Sequence, residues 1–205
     1  MTPASPPDAS ATTDGRSLRR DRNRMAVIDA VLALYDSGNL APSSDDIAER
    51  AGTSVRSVFR YFDDVDDMLR AAIGRQQERL EPLWTLDSFD GLPLDERIER
   101  FVAARVRLLD GMGNVGLVAR MRAPFQPLIR AELDRVRATM RGQVALVFAP
   151  ELAALGPDGA AVLAMLDVTC SWEARDLLRG DQGLSDAAAR AAATGAIRRL
   201  LGTSV

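Results

Sequence analysis

The sequence predicts an all-α protein, and three observations carry that expectation. Apolar residues recur at helical spacing along nearly the whole chain, and no stretch reads as a strand. The gaps between these stripes fall at glycines, prolines and Ser/Asp clusters that cap or stop helices. Within them, Ser43–Phe62 holds two short amphipathic segments joined by a glycine, the layout of a helix-turn-helix. The expected architecture is about nine helices, arranged as an N-terminal three-helix unit and a larger helical body.

Residues 1–15 are rich in Pro, Ser, Thr and Ala without apolar periodicity and read as a disordered arm. A helix is expected from about Ser17, with Met25, Ile28, Val31, Leu32 and Tyr35 as its apolar stripe and Ser37-Gly38-Asn39 as its stop. Next comes the paired motif. Ser43 can cap the first short helix, with Asp46 placed at its positive end. Ile47 and Ala48 form its apolar side, and Ala51-Gly52 closes it with the residue that best tolerates a left-handed backbone. Thr53 or Ser54 can cap the second helix, where Val58 and Phe62 lie four apart and face one core. Arg56, Ser57, Arg60 and Tyr61 are then expected to point away, so that the polar side of this helix could enter a major groove.

Asp63-Asp64 is expected to start a helix that carries Met68, Leu69, Ala72 and Ile73 and ends near Leu80. Glu81–Leu92, with Pro82 and Gly91, reads as a connection. Pro93 suits the first turn of a helix bearing Ile98, Phe101, Val102, Val106, Leu108 and Leu109. Gly111, Gly113 and Gly116 should break the chain around a short segment, Val115–Met121, and Pro124 and Pro127 mark another break. A long amphipathic helix follows from Leu128 to Val147, ended by Pro150. Ala160–Arg179 is expected as one helix whose first half, apolar nearly all round, is buried on several sides. Leu184–Leu201 is the last, dense in alanine with Gly195.

The stretch AERAGTSVRSVFRYF resembles the DNA-binding signature of TetR-family transcriptional regulators, in which an Ala-Gly-x-Ser turn precedes a helix ending in aromatic residues. The tight resemblance runs from about Met25 to Leu69; beyond it only length and helical layout agree. It implies a helix-turn-helix domain over residues 16–66 and a helical ligand-binding and dimerisation domain over 67–205. By the same resemblance, Ser44, Ser54, Phe59 and Tyr61 stand where phosphates are usually touched, and Arg56 and Ser57 where bases are usually faced. Arginine reads guanine well because its fork matches O6 and N7 together. The candidate DNA-binding set is thus Ser43, Ser44, Thr53, Ser54, Arg56, Ser57, Phe59, Arg60 and Tyr61. One departure stands out: where the family usually places a lysine after the recognition helix, this chain has Val65 among Asp63, Asp64, Asp66 and Asp67.

The resemblance also implies a largely apolar small-molecule effector in the body and a homodimer formed through the last two helices. Phe101, Arg105, Met121, Phe125, Met140, Met165, Asp167 and Trp172 are the candidate pocket residues, each with a plain alternative as core. Asp167 sits in an apolar run, and a buried carboxylate needs a partner. Arg105 or Arg122 is the expected one, and a cationic ligand the sharper alternative.

Composition limits the other classes. The 205 residues carry a net charge of −3, and all 26 basic residues are arginine, five of them (Arg16, Arg19, Arg20, Arg22 and Arg24) just before the motif. With no histidine the commonest general base and metal ligand are missing, and no phosphate loop or nucleophile elbow is present. Neither an enzyme, a cofactor nor a metal site is expected. No secretory signal is readable, no apolar run reaches the roughly 18–20 residues of a membrane span, and a lone Cys170 excludes an internal disulfide. These features suit a cytoplasmic protein. The expected function is a DNA-binding regulator, a repressor released by its ligand from a pseudo-palindromic duplex operator. The alternative is a helical adaptor that has lost operator binding, for which the acidic stretch after Phe62 is the hint.

Overall fold

The computed structural model describes residues 9–202, with side chains from Leu18 onward. Among these residues there are ten α-helices and no strand: α1 (Ala9–Asp36), α2 (Ser44–Arg50), α3 (Val55–Tyr61), α4 (Val65–Trp84), α5 (Leu94–Arg122), α6 (Pro127–Val147), α7 (Ala149–Ala154), α8 (Gly159–Thr169), α9 (Trp172–Asp176) and α10 (Asp186–Leu200). A 3-10 turn, Gly156–Asp158, precedes α8, and a π-helical turn, Leu177–Asp181, follows α9. The all-α expectation holds, with ten helices in place of about nine.

The chain divides into two compact units. The first comprises residues up to Arg79 together with Asn114–Arg130. Its core is the inner face of three helices: Val27, Ile28 and Leu32 of α1, Ala48 of α2, and Val58, Tyr61 and Phe62 at α3. Met68, Ala71 and Ala72 of α4 and Val115 of α5 close over it. Polar fastenings bind the rim, with Arg75 gripping Asp29 through Nε at 2.7 Å and Nη2 at 3.1 Å, and Arg79 donating to Asp36 at 2.7 Å.

The second unit comprises Leu80–Gly113 and Ala131–Val205. One of its clusters is built from Ile98, Phe101 and Val102 of α5, Val144 and Val147 of α6, Leu166 of α8 and Ile197 of α10. Phe101 and Phe148 meet edge to face at 5.4 Å, the arrangement that aromatic quadrupoles prefer. A neighbouring cluster joins Leu80, Leu108, Leu109, Met112 and Met140, with Trp84 and Trp172 packed against it.

Several expectations about element bounds are corrected. α1 begins at Ala9 and not near Ser17, because no proline stands between Pro7 and the end of the helix and extending a nucleated helix costs far less than starting one. The expected disordered arm otherwise lies outside the described residues. α4 continues past Leu80 to Trp84, since Pro82 falls in the last turn and removes little of the hydrogen-bond ladder. The expected break near Gly111–Gly116 is a kink within α5, made at Gly113 with φ 46° and ψ −144°, a backbone state open essentially to glycine alone.

The division of the chain also differs from a boundary at residue 66. Val115 packs into the core of the first unit, Asn114 donates to the Asp36 carbonyl at 3.4 Å, and Arg122 lies over the Tyr35 ring. The segment after the Gly113 kink therefore belongs with the helix-turn-helix.

The expected single helix Ala160–Arg179 is split. Ser171 breaks it by accepting from the Ala174 amide at 3.1 Å and so capping α9. Nor is α8 buried on several sides: Leu166 is fully buried, whereas Ala160, Ala161, Ala164, Met165 and Val168 are exposed.

Candidate nucleic-acid interface

The turn is built from short-range hydrogen bonds that the sequence specifies. Ser43 Oγ accepts from the Asp46 amide at 3.1 Å, and Asp46 Oδ2 accepts from the Ser43 amide at 2.8 Å, a reciprocal capping box. These bonds, led by the Ser43 backbone amide, hold the Asp46 carboxyl below its ordinary value. At the other end of α2, Gly52 adopts φ 63°, and the Thr53 amide donates to the Ala48 carbonyl at 2.9 Å. Ser54, not Thr53, caps α3, accepting from the Ser57 amide at 3.2 Å while the two hydroxyls share a bond of 2.9 Å.

α3 is thereby held with two distinct faces. Val58 and Tyr61, followed by Phe62, enter the core. Arg56, Phe59 and Arg60, spaced by three and four residues, share the opposite face and are exposed, Phe59 by 68%. Arg56 and Arg60 have no carboxylate partner among the described residues, and Arg60 lies over the neighbouring Tyr61 ring at 5.8 Å and interacts with its hydroxyl. Ser43 and Ser54 are exposed, and Ser44, Thr53 and Ser57 half-buried. The arrangement thus presents two exposed guanidiniums and an apolar ring on a short, capped helix.

Tyr61 corrects the sequence reading. It was expected to point away with Arg56 and Arg60, yet its ring is 8% exposed within the core and its hydroxyl accepts from Asn23 Nδ2 at 3.1 Å. Tyr61 stands three residues after Val58, at the edge of the apolar face, so its ring turns into the core beside Val58.

The arginine cluster divides as well. Arg19, Arg20 and Arg22 are exposed on α1, while the side chain of Arg16 lies outside the described residues. Arg24 is committed within the fold: it pairs with Asp67 of α4 and lies over the Phe62 ring at 5.2 Å. In the acidic stretch Asp64 caps α4, accepting from the Asp67 amide at 2.7 Å, and Asp66 faces Arg70 across one turn.

The expected pocket residues do not line one cavity. Phe101 and Met140 are core; Trp172 packs beside Met140. Met121 and Phe125 belong to the first unit and are exposed, and Met165 is exposed on α8. Asp167 is half-buried and pairs with Arg141 at 3.5 Å, not with Arg105 or Arg122. The arginine partner was expected, but α6 supplies it. Only Arg105, 4% exposed, borders a cavity, a space of about 40 Å³ between α5, α10 and the chain from Thr169 to Arg179. There Arg105 stands with Val102, Val106 and Leu109, and no local pattern in the sequence marks it out from the other arginines of α5.

Fold and site together define a helix-turn-helix protein of the all-α class. Residues 32–72 match the family described as bacterial regulatory proteins, tetR family. The fold is shared with a Rhodococcus sp. protein described as a TetR-family transcriptional regulator, at 19% identity and a TM-score of 0.65, covering 88% of this chain and 100% of that one. It is shared too with a transcriptional regulator from Rhodococcus sp. Rha1, at 20% identity and a TM-score of 0.61, covering 91% and 98%. No curated protein matches the chain. The likeness to that family rests on the helix-turn-helix region, and the likeness to the two solved structures is one of fold. No described helix is long and apolar enough to cross a membrane.

Proposed function

We propose that this regulator is a homodimeric repressor that reads a pseudo-palindromic duplex operator through α3 and leaves it when a small molecule occupies the second unit. The observation that carries the reading is the pair of exposed guanidiniums, Arg56 and Arg60, with no carboxylate partner among the described residues, on a helix fixed from behind by Val58 and Tyr61. Arg56, near the start of α3, has the reach to read a base, and Phe59 and Arg60 would flank the phosphates.

Dimerisation is supported by the uncovered small and apolar residues of α8 and α10. Met165 and Val168 on α8, and Ala187, Ala188, Ala191 and Ala192 on α10, are exposed on helices that pack against one another. A second copy laid across them would give the two-fold symmetry that a two-half-site operator needs, with half-sites about 34–36 Å apart or a multiple of that.

The test begins with genomic fragments retained by the purified protein, from which the operator is defined. Arg56→Ala is then expected to lose discrimination at one base pair per half-site, about 1–3 kcal/mol, while binding random DNA nearly as before. Equal weakening on operator and random sequence would remove base reading from Arg56. No retained fragment at all would favour the adaptor reading, for which the exposed Asp63, Asp64 and Asp66 offer a surface.

A further inference from the structure

Among the described residues, Arg105 is the one buried basic side chain, and it has no carboxylate in hydrogen-bond reach. Its Nη2 donates to the Met140 carbonyl at 3.0 Å and to Gln143 Oε1 at 3.1 Å, and its guanidinium lies over the Phe101 ring at 5.1 Å. The other arm, Nη1, is buried and has no acceptor. Both acceptors that Arg105 does reach are neutral, and Gln143 is itself anchored by donating to the Trp84 carbonyl at 2.9 Å.

Asp167 favours the charged Arg105 guanidinium from a distance, but its own carboxylate is paired with Arg141 at 3.5 Å. Cys170, another wall of the cavity, is a buried thiol pushed up to about 12 by its loss of water, so it stays neutral and supplies no counter-charge. Burial likewise pulls the Arg105 guanidinium down from its ordinary value. A buried charge with no contacting counter-charge is expensive, and a fixed donor without an acceptor adds to that cost.

The remaining walls say what would answer it. Val102, Val106, Leu109, Leu178 and Ala193 make the lining mainly apolar, while Arg175, Arg179 and Arg190 stand with a single acid, Asp186. Arg175 pairs with Asp110 and also meets Asp186, which Arg179 shares, at 3.4 Å and 2.8 Å, so with Arg105 and Arg190 the lining arginines still outnumber the two acids. A cation is excluded by this set, and a neutral apolar molecule would leave Nη1 bare.

We propose that the cavity between α5, the Thr169–Arg179 segment and α10 binds a small organic carboxylate, whose oxygens accept from Arg105 Nη1 while its short apolar body lies against Val102, Val106 and Leu109. The acid narrows the largely apolar effector expected from sequence to one with a single anionic head. Its binding stands on Arg105 alone; its effect on DNA rests on the ligand-released repressor reading.

Isobutyrate is the probe, with isobutyramide as its neutral counterpart of nearly equal shape and sodium chloride as the control for ionic strength. Isobutyrate is expected to raise the melting temperature of the full chain by about 3 °C or more at saturation, and the amide and chloride to leave it unchanged. Arg105→Met is expected to weaken isobutyrate, read by calorimetry, by about tenfold or more, and Arg105→Lys to restore part of the loss. An equal response to isobutyrate, amide and chloride overturns the site, and the wild-type protein alone decides that if Arg105→Met fails to fold. Operator affinity in the same titrations separates the two readings. Binding of the acid without release of operator leaves the site standing and removes its regulatory role. Intact operator binding with no uptake of the acid overturns the site and leaves the regulator reading standing.

Discussion

Arg24 of α1 and Asp67 of α4, far apart in sequence, form an ion pair beside the Phe62 ring, and so tie the first helix to the one that follows the recognition helix. Both side chains are about one-third exposed, so solvent screens the pair only in part. Asp67 also accepts from the Asp63 amide, which places this carboxylate in the start of α4 as well as in the pair. Arg24→Met is expected to lower the stability of the first unit by about 1 kcal/mol, with a coupling to Asp67→Asn of about 0.5–1.5 kcal/mol in a double-mutant cycle. Additive losses in urea melts would show that the two groups do not act together.

Because Arg24 is occupied and Asp67 neutralised, the charge near the recognition helix is not a simple contest of four acids with five arginines. Asp63, Asp64 and Asp66 remain exposed, as do Arg19, Arg20 and Arg22. Each phosphate neutralised adds about 0.9 to the slope of log affinity against log salt. Replacing Arg19, Arg20 and Arg22 by Ala is expected to flatten the operator slope by about one to three units. Val65→Lys, at an exposed position where α4 begins, is expected to steepen it. An unchanged slope in the triple variant would assign these arginines to solvent.

Tyr61→Phe separates a structural hydroxyl from a DNA-contacting one. The hydroxyl accepts from Asn23 in a partly buried place, so its loss is expected to cost about 0.5–1.5 kcal/mol of stability. Operator affinity per folded molecule should change by less than about threefold. A large loss of affinity at unchanged melting temperature would mean that the hydroxyl reaches a phosphate.

Cys170 sets an alkaline limit. Below its ordinary value of 9.0 the thiol is protonated folded or unfolded, and its contribution to stability is constant. As pH rises toward about 12, the unfolded chain loses the proton while the buried thiol keeps it, so the folded state loses ground. The decline is at most about 1.4 kcal/mol per pH unit for one group. Melting temperatures between pH 9 and pH 11 are expected to fall less steeply in Cys170→Ala than in wild type, and parallel curves would refute this contribution.

Whatever depends on neighbours a few residues apart is legible in the amino-acid order alone. The caps at Ser43 and Ser54, the left-handed turn at Gly52 and the inward Val58 and Phe62 are local, because a cap or a turn closes within one helical turn. Even one missed break was local: Ser171 followed by Glu173 carries the cap signal that splits the expected long helix. Tertiary structure decided the rest. A side chain with both an apolar ring and a hydroxyl, such as Tyr61, goes where the packed helices leave room, and only α1 offers it Asn23. The partners of Arg24 and Asp167 come from helices brought near by folding, and no spacing rule names Asp67 or Arg141. Likewise, nothing local distinguishes Arg105 from the other arginines of α5. Its burial follows from the packing of α6, which brings the Met140 carbonyl and Gln143 to one arm of the guanidinium and leaves the other without an acceptor.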